Sequence, residues 1–480
     1  MPSDVKIKKA DGQTGVTLAS ADGILAIIAP SEKGTVLPSS ATKSSTIFDT
    51  YGNGALSEYA AYVLDVTQNQ VVLAKTVAST AGSYGTFARA GTGTSIMTGD
   101  VATVTPLDDY DLLVTIVNGG TIGTTGATLT VSLDGGRSTS AIIALGTATN
   151  YTVPDSGVKV AFAAGTLVAG DTYKSKVAGP VMTNAEVVIA LEALRVSPYP
   201  FEAVLIAGTT DAAGVTALQS WIDARENDGR MYHAYVNARM RNVGETPAAY
   251  LTAMVTAYGA VAAPSVTINY DGGRVGSLLA NRRQYVRAAS LGHAARAMNV
   301  DVSVMPSRVQ DGPIKGFSIV DERGLAEFHD ESIYPGPGAN RFTVFRSRQG
   351  RTGVYIDLPF LFSAVGSDYV FLPHVRVMNR AIDLARGPLT DVLSQGERKG
   401  ANGFILESEA QKIEAKAELP LANQLVRPLK VSDAGFVLSR NDDVSSNAGA
   451  KLTGDVWIVP LIYVSGIEVK AKFLSKSLSV

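Results

Sequence analysis

The sequence predicts a multidomain α/β protein: a three-layer α/β sandwich, an inserted antiparallel β domain, a C-terminal α+β domain and extended terminal strand arms. Three observations carry this. At 480 residues the chain is too long for one core, and about 150 residues per domain gives roughly three. Between 183 and 300, helical segments alternate with short apolar strands, the pattern of a mostly parallel sheet covered by helices. Between 80 and 178, Thr and Gly dominate, charge falls, and strand-like runs are separated by glycine pairs.

Composition narrows the function classes. Hydrophobic residues make up 46% and charged residues 18%, so burial is not limiting; surface covered between subunits is expected, and a large core is the alternative source of the same composition. The net charge of −2 provides no global basic field for nucleic acid. The absence of cysteine removes disulfides, thiolate nucleophiles and cysteine metal sites. No apolar run reaches the ~18 residues of a membrane helix. The opening MPSDVKIKKADGQTG has no apolar signal region. The expectation is a protein made and used without secretory export and without direct membrane insertion.

In chain order, residues 1–20 read as an arm. Val5 and Ile7 alternate with Lys6 and Lys8, and Val16 and Leu18 follow. Lysine on an edge strand blocks promiscuous pairing yet leaves the backbone free for a partner chain; a frayed terminus is the alternative. Residues 23–29 form an apolar strand, 57–66 a helix with Tyr59, Tyr62 and Val63 on one side, and 71–74 a second strand. Strands at 110–117, 128–133, 141–145, 158–162 and 173–177 make the β domain, with turn signals at Asn118-Gly119-Gly120 and Asp134-Gly135-Gly136. Thr183 and Glu186 have capping-box spacing and open a helix to about 194. Strands at 204–207, 231–236 and 265–269 then alternate with helices at 215–225, 247–258 and 276–298. Arg341, Arg346, Arg348 and Arg351 cluster after the breaker Gly336-Pro337-Gly338.

The stretch 354–386 organises the C-terminal part. A β-rich run to Phe362 and a Gly366-Ser367-Asp368 turn lead to a helix from about Pro373, which suits a first helical turn. Val377, Ala381, Leu384 and Ala385 share one face, with Arg376, Asn379, Arg380 and Asp383 largely opposite. Residues 407–419 form a charged amphipathic helix, and 431–440 and 451–462 two strands of one sheet. Finally Ile467, Val469, Ala471 and Phe473 alternate strictly with Glu468, Lys470 and Lys472. This is either a half-buried strand or a strand that crosses to a neighbour.

No catalytic constellation emerges. The four histidines, His233, His293, His329 and His374, include no i, i+4 helical pair for zinc. Gly93-Thr94-Ser95-Ile96-Met97 echoes the serine motif of subtilisin-type hydrolases, but there the order is Asp, His, Ser, and here every histidine follows Ser95. There is no GxxxxGK[ST] loop and no GxGxxG opening a helix. Asp271-Gly272-Gly273 reads as a turn with one carboxylate, and the Lys/Arg groups lack the aromatic ladder of single-strand binders. No cofactor is implied.

Several stretches together resemble contractile tail sheath proteins, the phage tail sheath family with a subtilisin-like domain. The run from Gly23 to Gly34 is similar to that family's opening strand and Pro/Gly loop. Thr46 to Gly52, Leu73 to Thr76, and Ala169 to Tyr173 resemble its next segments, although many members have arginine where this chain has Lys75. Gly366 to Tyr369 followed by Arg376 to Asn379 resembles its lead into an inner helix. The resemblance covers most of the chain in order and is strongest at 20–76 and 340–480.

The resemblance implies a structural subunit rather than an enzyme: hexameric rings stacked helically around an inner tail tube, assembled on a baseplate and closed by a tail terminator. Contraction would drive the tube through a host envelope. The location would be the virion tail, with assembly in the host cytoplasm. It also implies a layout: arms at 1–20 and 466–480, a tube-proximal α+β core from 21–79 and 340–465, an outer β domain at 80–180 and the subtilisin-like sandwich at 181–339. Arg376, Arg380 and Arg386 are the expected tube-facing cations, with intramolecular salt bridges as the alternative. The competing function classes are an α/β hydrolase with an added β domain and another virion component, of capsid or baseplate.

Overall fold

The computed structural model describes residues 21–463, apart from 79, 243, 271, 280–282, 320–335, 393–397, 399–402 and 444–450. Both predicted arms, with Val5, Ile7, Val16, Leu18, Ile467, Val469, Ala471 and Phe473, lie outside the described residues, as does His329. Among the described residues the protein is mixed α/β, with several sheets and eight α-helices, and it divides into two units, 1–302 with 306–375 and 303–305 with 376–480.

The first unit is built on an apolar strand. Leu25–Pro30 (β1) is buried at every position, as a central parallel strand covered on both faces must be. Ser39–Ala41 (β2) and helices Ser44–Tyr51 (α1) and Ala55–Thr67 (α2) follow, then Val71–Thr76 (β3). After the β domain come helix Asn184–Val196 (α3), strand Ala203–Ile206 (β4), helix Ala212–Asn227 (α4), strand His233–Asn237 (β5), helix Pro247–Tyr258 (α5) and strand Val266–Asn269 (β6). The sheet order is β6-β5-β4-β1-β3-β2. All neighbours run parallel except β2, which is antiparallel to β3. Leu25, Ile27 and Ala29 pack into one apolar cluster with α2, while Ala26 and Ile28 pack into another with α3, α4 and α5. Each fully buried Leu or Ile contributes about 1.5–3 kcal/mol.

Local chemistry starts α3 and α5 where the sequence indicates, and α4 three residues ahead of the expected 215. Thr183 and Glu186 complete the capping box of α3, Asp211 caps α4 by accepting from the Gly214 N–H, and Thr246 caps α5 with Pro247 at its first position.

Two expectations are corrected. The first is the separation of 21–79 from the sandwich at 181–339: β1 and β3 hydrogen-bond in the same sheet as β4, β5 and β6, while Leu25 and Leu73 share an apolar cluster with Ile356 and Leu361. Short apolar strands of similar composition carry no label for their partners, so the sequence did not separate the alternatives. The second is the helix at 276–298. Gly272–Gly276 (β7) and Gln284–Ala288 (β8) form an antiparallel pair, and only Ala289–Met298 (α6) is helical. Gln284 is exposed, Tyr285 buried, Val286 less buried and Arg287 buried again, a period of two rather than 3.6. Gly272 and Gly273, read as a turn, are strand residues: a Cβ at Gly273 would meet the Phe317 ring at 2.4 Å.

Residues 83–178 build separate antiparallel sheets. The long strands Tyr110–Asn118 and Thr172–Ala178 pair with each other, and Thr128–Ser132 pairs with the first. Alternate residues Tyr110, Leu112, Val114 and Ile116 face one apolar cluster with Leu129, Val131, Val160 and Tyr173.

The second unit holds most of helix Leu372–Thr390 (α7), helix Glu407–Leu421 (α8), the π-turn Ala422–Val426 and the hairpin Asp433–Leu438 (β9) with Gly454–Val459 (β10). Ala410, Ile413, Ala417 and Leu421 recur at three- and four-residue steps and are buried, and the hairpin's Phe436 and Leu438 are buried too.

Candidate assembly surfaces

The β domain is fastened to the sandwich by a buried ion pair. Arg287 on β8 grips Asp108, just ahead of strand Tyr110–Asn118, with both ends of its fork: Nη1 to Oδ1 at 2.6 Å and Nη2 to Oδ2. Both side chains are 4% exposed. The guanidinium carbon lies 4.3 Å from the Tyr285 ring centroid and 5.8 Å from that of Tyr59. Glu58 on α2 accepts from the Ser277 hydroxyl at 2.8 Å. Burial pushes its carboxyl above the usual range, and Arg287 partly opposes this. Sequence reasoning missed this cluster: its partners are 179 residues apart, and no local spacing signals it.

The residues inspected for catalysis are engaged structurally. His233 Nε2 lies 3.1 Å from the Tyr235 hydroxyl, and His293 Nδ1 2.9 Å from Asn269 Oδ1; both histidines are buried. His374 Nδ1 lies 3.0 Å from the Asp368 carbonyl, and burial depresses its pKa. Ser95 is buried in the β domain, and its hydroxyl donates to the Ala163 carbonyl at 2.8 Å. Among the described residues no group of three or more histidines or carboxylates is placed to hold a metal ion, and no helix is long and apolar enough to cross a membrane.

Helix α7 carries the predicted arginines. Pro373 sits in its first turn, and Val377, Ala381, Leu384 and Ala385 are buried, as their spacing predicts. Arg376 corrects its placement on the exposed side: it is 2% exposed, and Asn379 is buried as well. Val375, Arg376 and Val377 are consecutive buried residues, so the helix is enclosed on more than its apolar stripe at this turn, where a long aliphatic stem can pack. Arg380 donates to Gln424 Oε1 at 2.8 Å. Arg386, 40% exposed, lies 3.6 Å from Asp383. These two remain at the surface.

The hairpin is clamped to α8 by one arginine. Arg440 Nε donates to Glu407 at 2.7 Å and Nη1 to Glu414 at 2.7 Å, with Nη2 shared between both carboxylates. These hydrogen bonds hold the carboxyls of Glu407 and Glu414 below the usual range. Leu438 N–H also donates to Glu414, at 2.8 Å. The hairpin is a two-stranded sheet, so among the described residues each strand keeps one edge without a ladder partner. Its outer face shows Val437, Trp457 and Val459, with the Trp457 ring lying over Gly435, where a Cβ would meet it at 2.6 Å.

Solved structures share this fold over nearly the whole chain. The anti-feeding prophage helical sheath in its contracted state matches with a TM-score of 0.52 at 9% identity, covering 98% of this chain and 98% of that one. A chain of the anti-feeding prophage baseplate in its contracted state matches with a TM-score of 0.50 at 12% identity, covering 99% and 100%. The sheath tail protein Lin1278 from Listeria innocua matches at 14% identity with a TM-score of 0.46, covering 92% and 96%. At these identities the likeness is one of fold. No curated protein matches the sequence. A family model does: the chain belongs to the DUF2586 family, whose N-terminal domain description matches residues 3–357.

Proposed function

We propose that this protein is the subunit of a contractile sheath, a structural protein that polymerises helically around an inner tube and contracts to drive the tube through a cell envelope. One observation carries the reading: the fold follows that of a contracted helical sheath along 98% of both chains, not over one shared domain. The match to a contracted-state baseplate chain supports association with a baseplate and a place in a tail or injection particle; assembly in the host cytoplasm is part of the proposal.

In this reading the sheet of β1–β6 with its helices is the three-layer sandwich, residues 80–180 are an outer β insertion, and 1–20 and 466–480 are arms. The hairpin β9–β10 is the acceptor for those arms. Its free edges offer unpaired backbone groups, and Val5, Ile7, Val16, Leu18, Ile467, Val469, Ala471 and Phe473 supply alternating apolar residues to dock beside them. A head-to-tail exchange of arms does not close on itself, so it propagates as a helical stack of rings. Contraction is then a rigid-body reorientation with interfaces exchanged, driven by interface area rather than by nucleotide. Arg380 and Arg386 face the tube; Arg376 serves the fold. The hydrolase alternative finds no support in Ser95, whose hydroxyl is committed to a carbonyl.

Deleting 467–480 tests the arm assignment. The truncated chain is expected to melt like the full chain and to stay monomeric in sedimentation velocity. Tubes formed by the truncated chain would remove the arm from the account.

A further inference from the structure

One turn of the second unit is both strained and exposed. After the π-turn, the backbone closes with Arg427 N–H on the Ala422 carbonyl and Leu429 N–H on Val426, each at 2.9 Å. This helix-ending geometry needs a left-handed residue, and glycine usually supplies it. Here the residue is Leu429, at φ +61°. A leucine crowds its own carbonyl in this conformation, and it gains nothing from burial, being 77% exposed. Strain without burial points to a contact outside the subunit. Pro428 and the exposed Arg427 flank it, giving an apolar knob with a cation at its side.

The first unit offers a matching socket. A cleft of about 610 Å³ opens where segments 101–107 and 152–157 of the β domain meet the loop bearing Glu32. Val101, Val104, Leu107 and Val153 line it, together with the acidic residues Glu32 and Asp155; one Glu32 carboxylate oxygen accepts from the Asn53 N–H at 2.9 Å and from its side-chain amide at 3.2 Å. Val101 is half exposed, so the cleft keeps apolar surface in water. It has the volume for Pro428 and Leu429 together, and the carboxylates to meet Arg427.

We propose that the Arg427–Lys430 turn of one copy docks in the Glu32/Asp155 cleft of a second copy. Knob and socket are different surfaces, so the contact is head-to-tail and open-ended. The proposal rests on the sheath reading in requiring self-assembly, and it adds a side-chain contact to the backbone pairing of the arms.

The test is the critical concentration for polymerisation, measured by sedimentation with full-length chains. Asparagine tolerates the left-handed region, so Leu429→Asn is expected to keep or raise the melting temperature. It should also raise the critical concentration about ten- to hundredfold, the loss of one buried leucine. Arg427→Glu should weaken assembly, and adding Glu32→Lys and Asp155→Lys to the same chain should restore it. Leu429→Asn polymerising at the wild-type concentration, or a charge swap that fails to rescue, overturns the contact while leaving the sheath reading standing. Loss of tube co-assembly with self-assembly intact assigns the turn to the tube and also overturns it. A wild-type chain that never assembles removes both.

Discussion

Truncating Asp108 to alanine would leave Arg287 buried and charged at the junction of the β domain and the sandwich. Both partners are 4% exposed, so water screens neither. Breaking a buried pair from one side costs about 3–5 kcal/mol. Glu58, whose carboxyl burial raises, stands close enough for Arg287 to oppose that rise in part, so a second carboxylate softens the loss, and about 3 kcal/mol is expected. The assay uses the chain's two tryptophans. Trp221 is buried on α4 in the first unit, and Trp457 lies on β10 in the second. In a Trp457→Phe background, Trp221 emission during urea unfolding reports the first unit alone. Asp108→Leu combined with Arg287→Met should recover most of the loss, because an apolar pair of similar volume avoids desolvating either charge. A loss under about 1 kcal/mol, or single changes that add within about 0.5 kcal/mol, would refute the fastening role.

Further outcomes follow from the second unit. Arg440 holds Glu407 and Glu414 below their usual pKa, so their contribution to stability is present above the unfolded value of about 4.3 and is lost as pH falls through the lowered folded values. Trp457 emission in a Trp221→Phe background should report that acid loss, and Arg440→Met should flatten it; an unchanged acid profile would dismiss the clamp. Reversing Arg380 and Arg386 to glutamate should block co-assembly with the tube protein at an unchanged melting temperature, and unaffected co-assembly would discard the tube-facing assignment. Arg376→Glu should lower the melting temperature instead, since it places a carboxylate at a buried position; a variant as stable as the wild type would contradict its structural role.

What could be read from the chain divides by range. The apolar run Leu25–Pro30, the capping box at Thr183 and the α7 stripe are local, and each is where its spacing places it. The strands at 431–440 and 451–462 also pair as expected. Pairing at a distance was not legible: nothing local tells β1 to lie between β3 and β4, or Arg287 to find Asp108. The error at 276–298 has a specific cause. The alanines of 288–297 read as helix, and that signal masked the period-two alternation of Gln284–Ala288, which pairs with Gly272–Gly276. Arg376 shows a related limit, because a cation opposite an apolar stripe is assigned to solvent unless a neighbour is known to cover it. Leu429 could have been flagged only after its backbone was seen, since Arg-Pro-Leu-Lys carries no left-handed signal in sequence.

Negative-stain electron microscopy of the concentrated, purified protein, alone and co-expressed with the tube protein, tests the central claim most directly. The account predicts hollow tubes of uniform width with a regular helical repeat, formed alone or on the tube. Discrete particles that never join into tubes under either condition would contradict it.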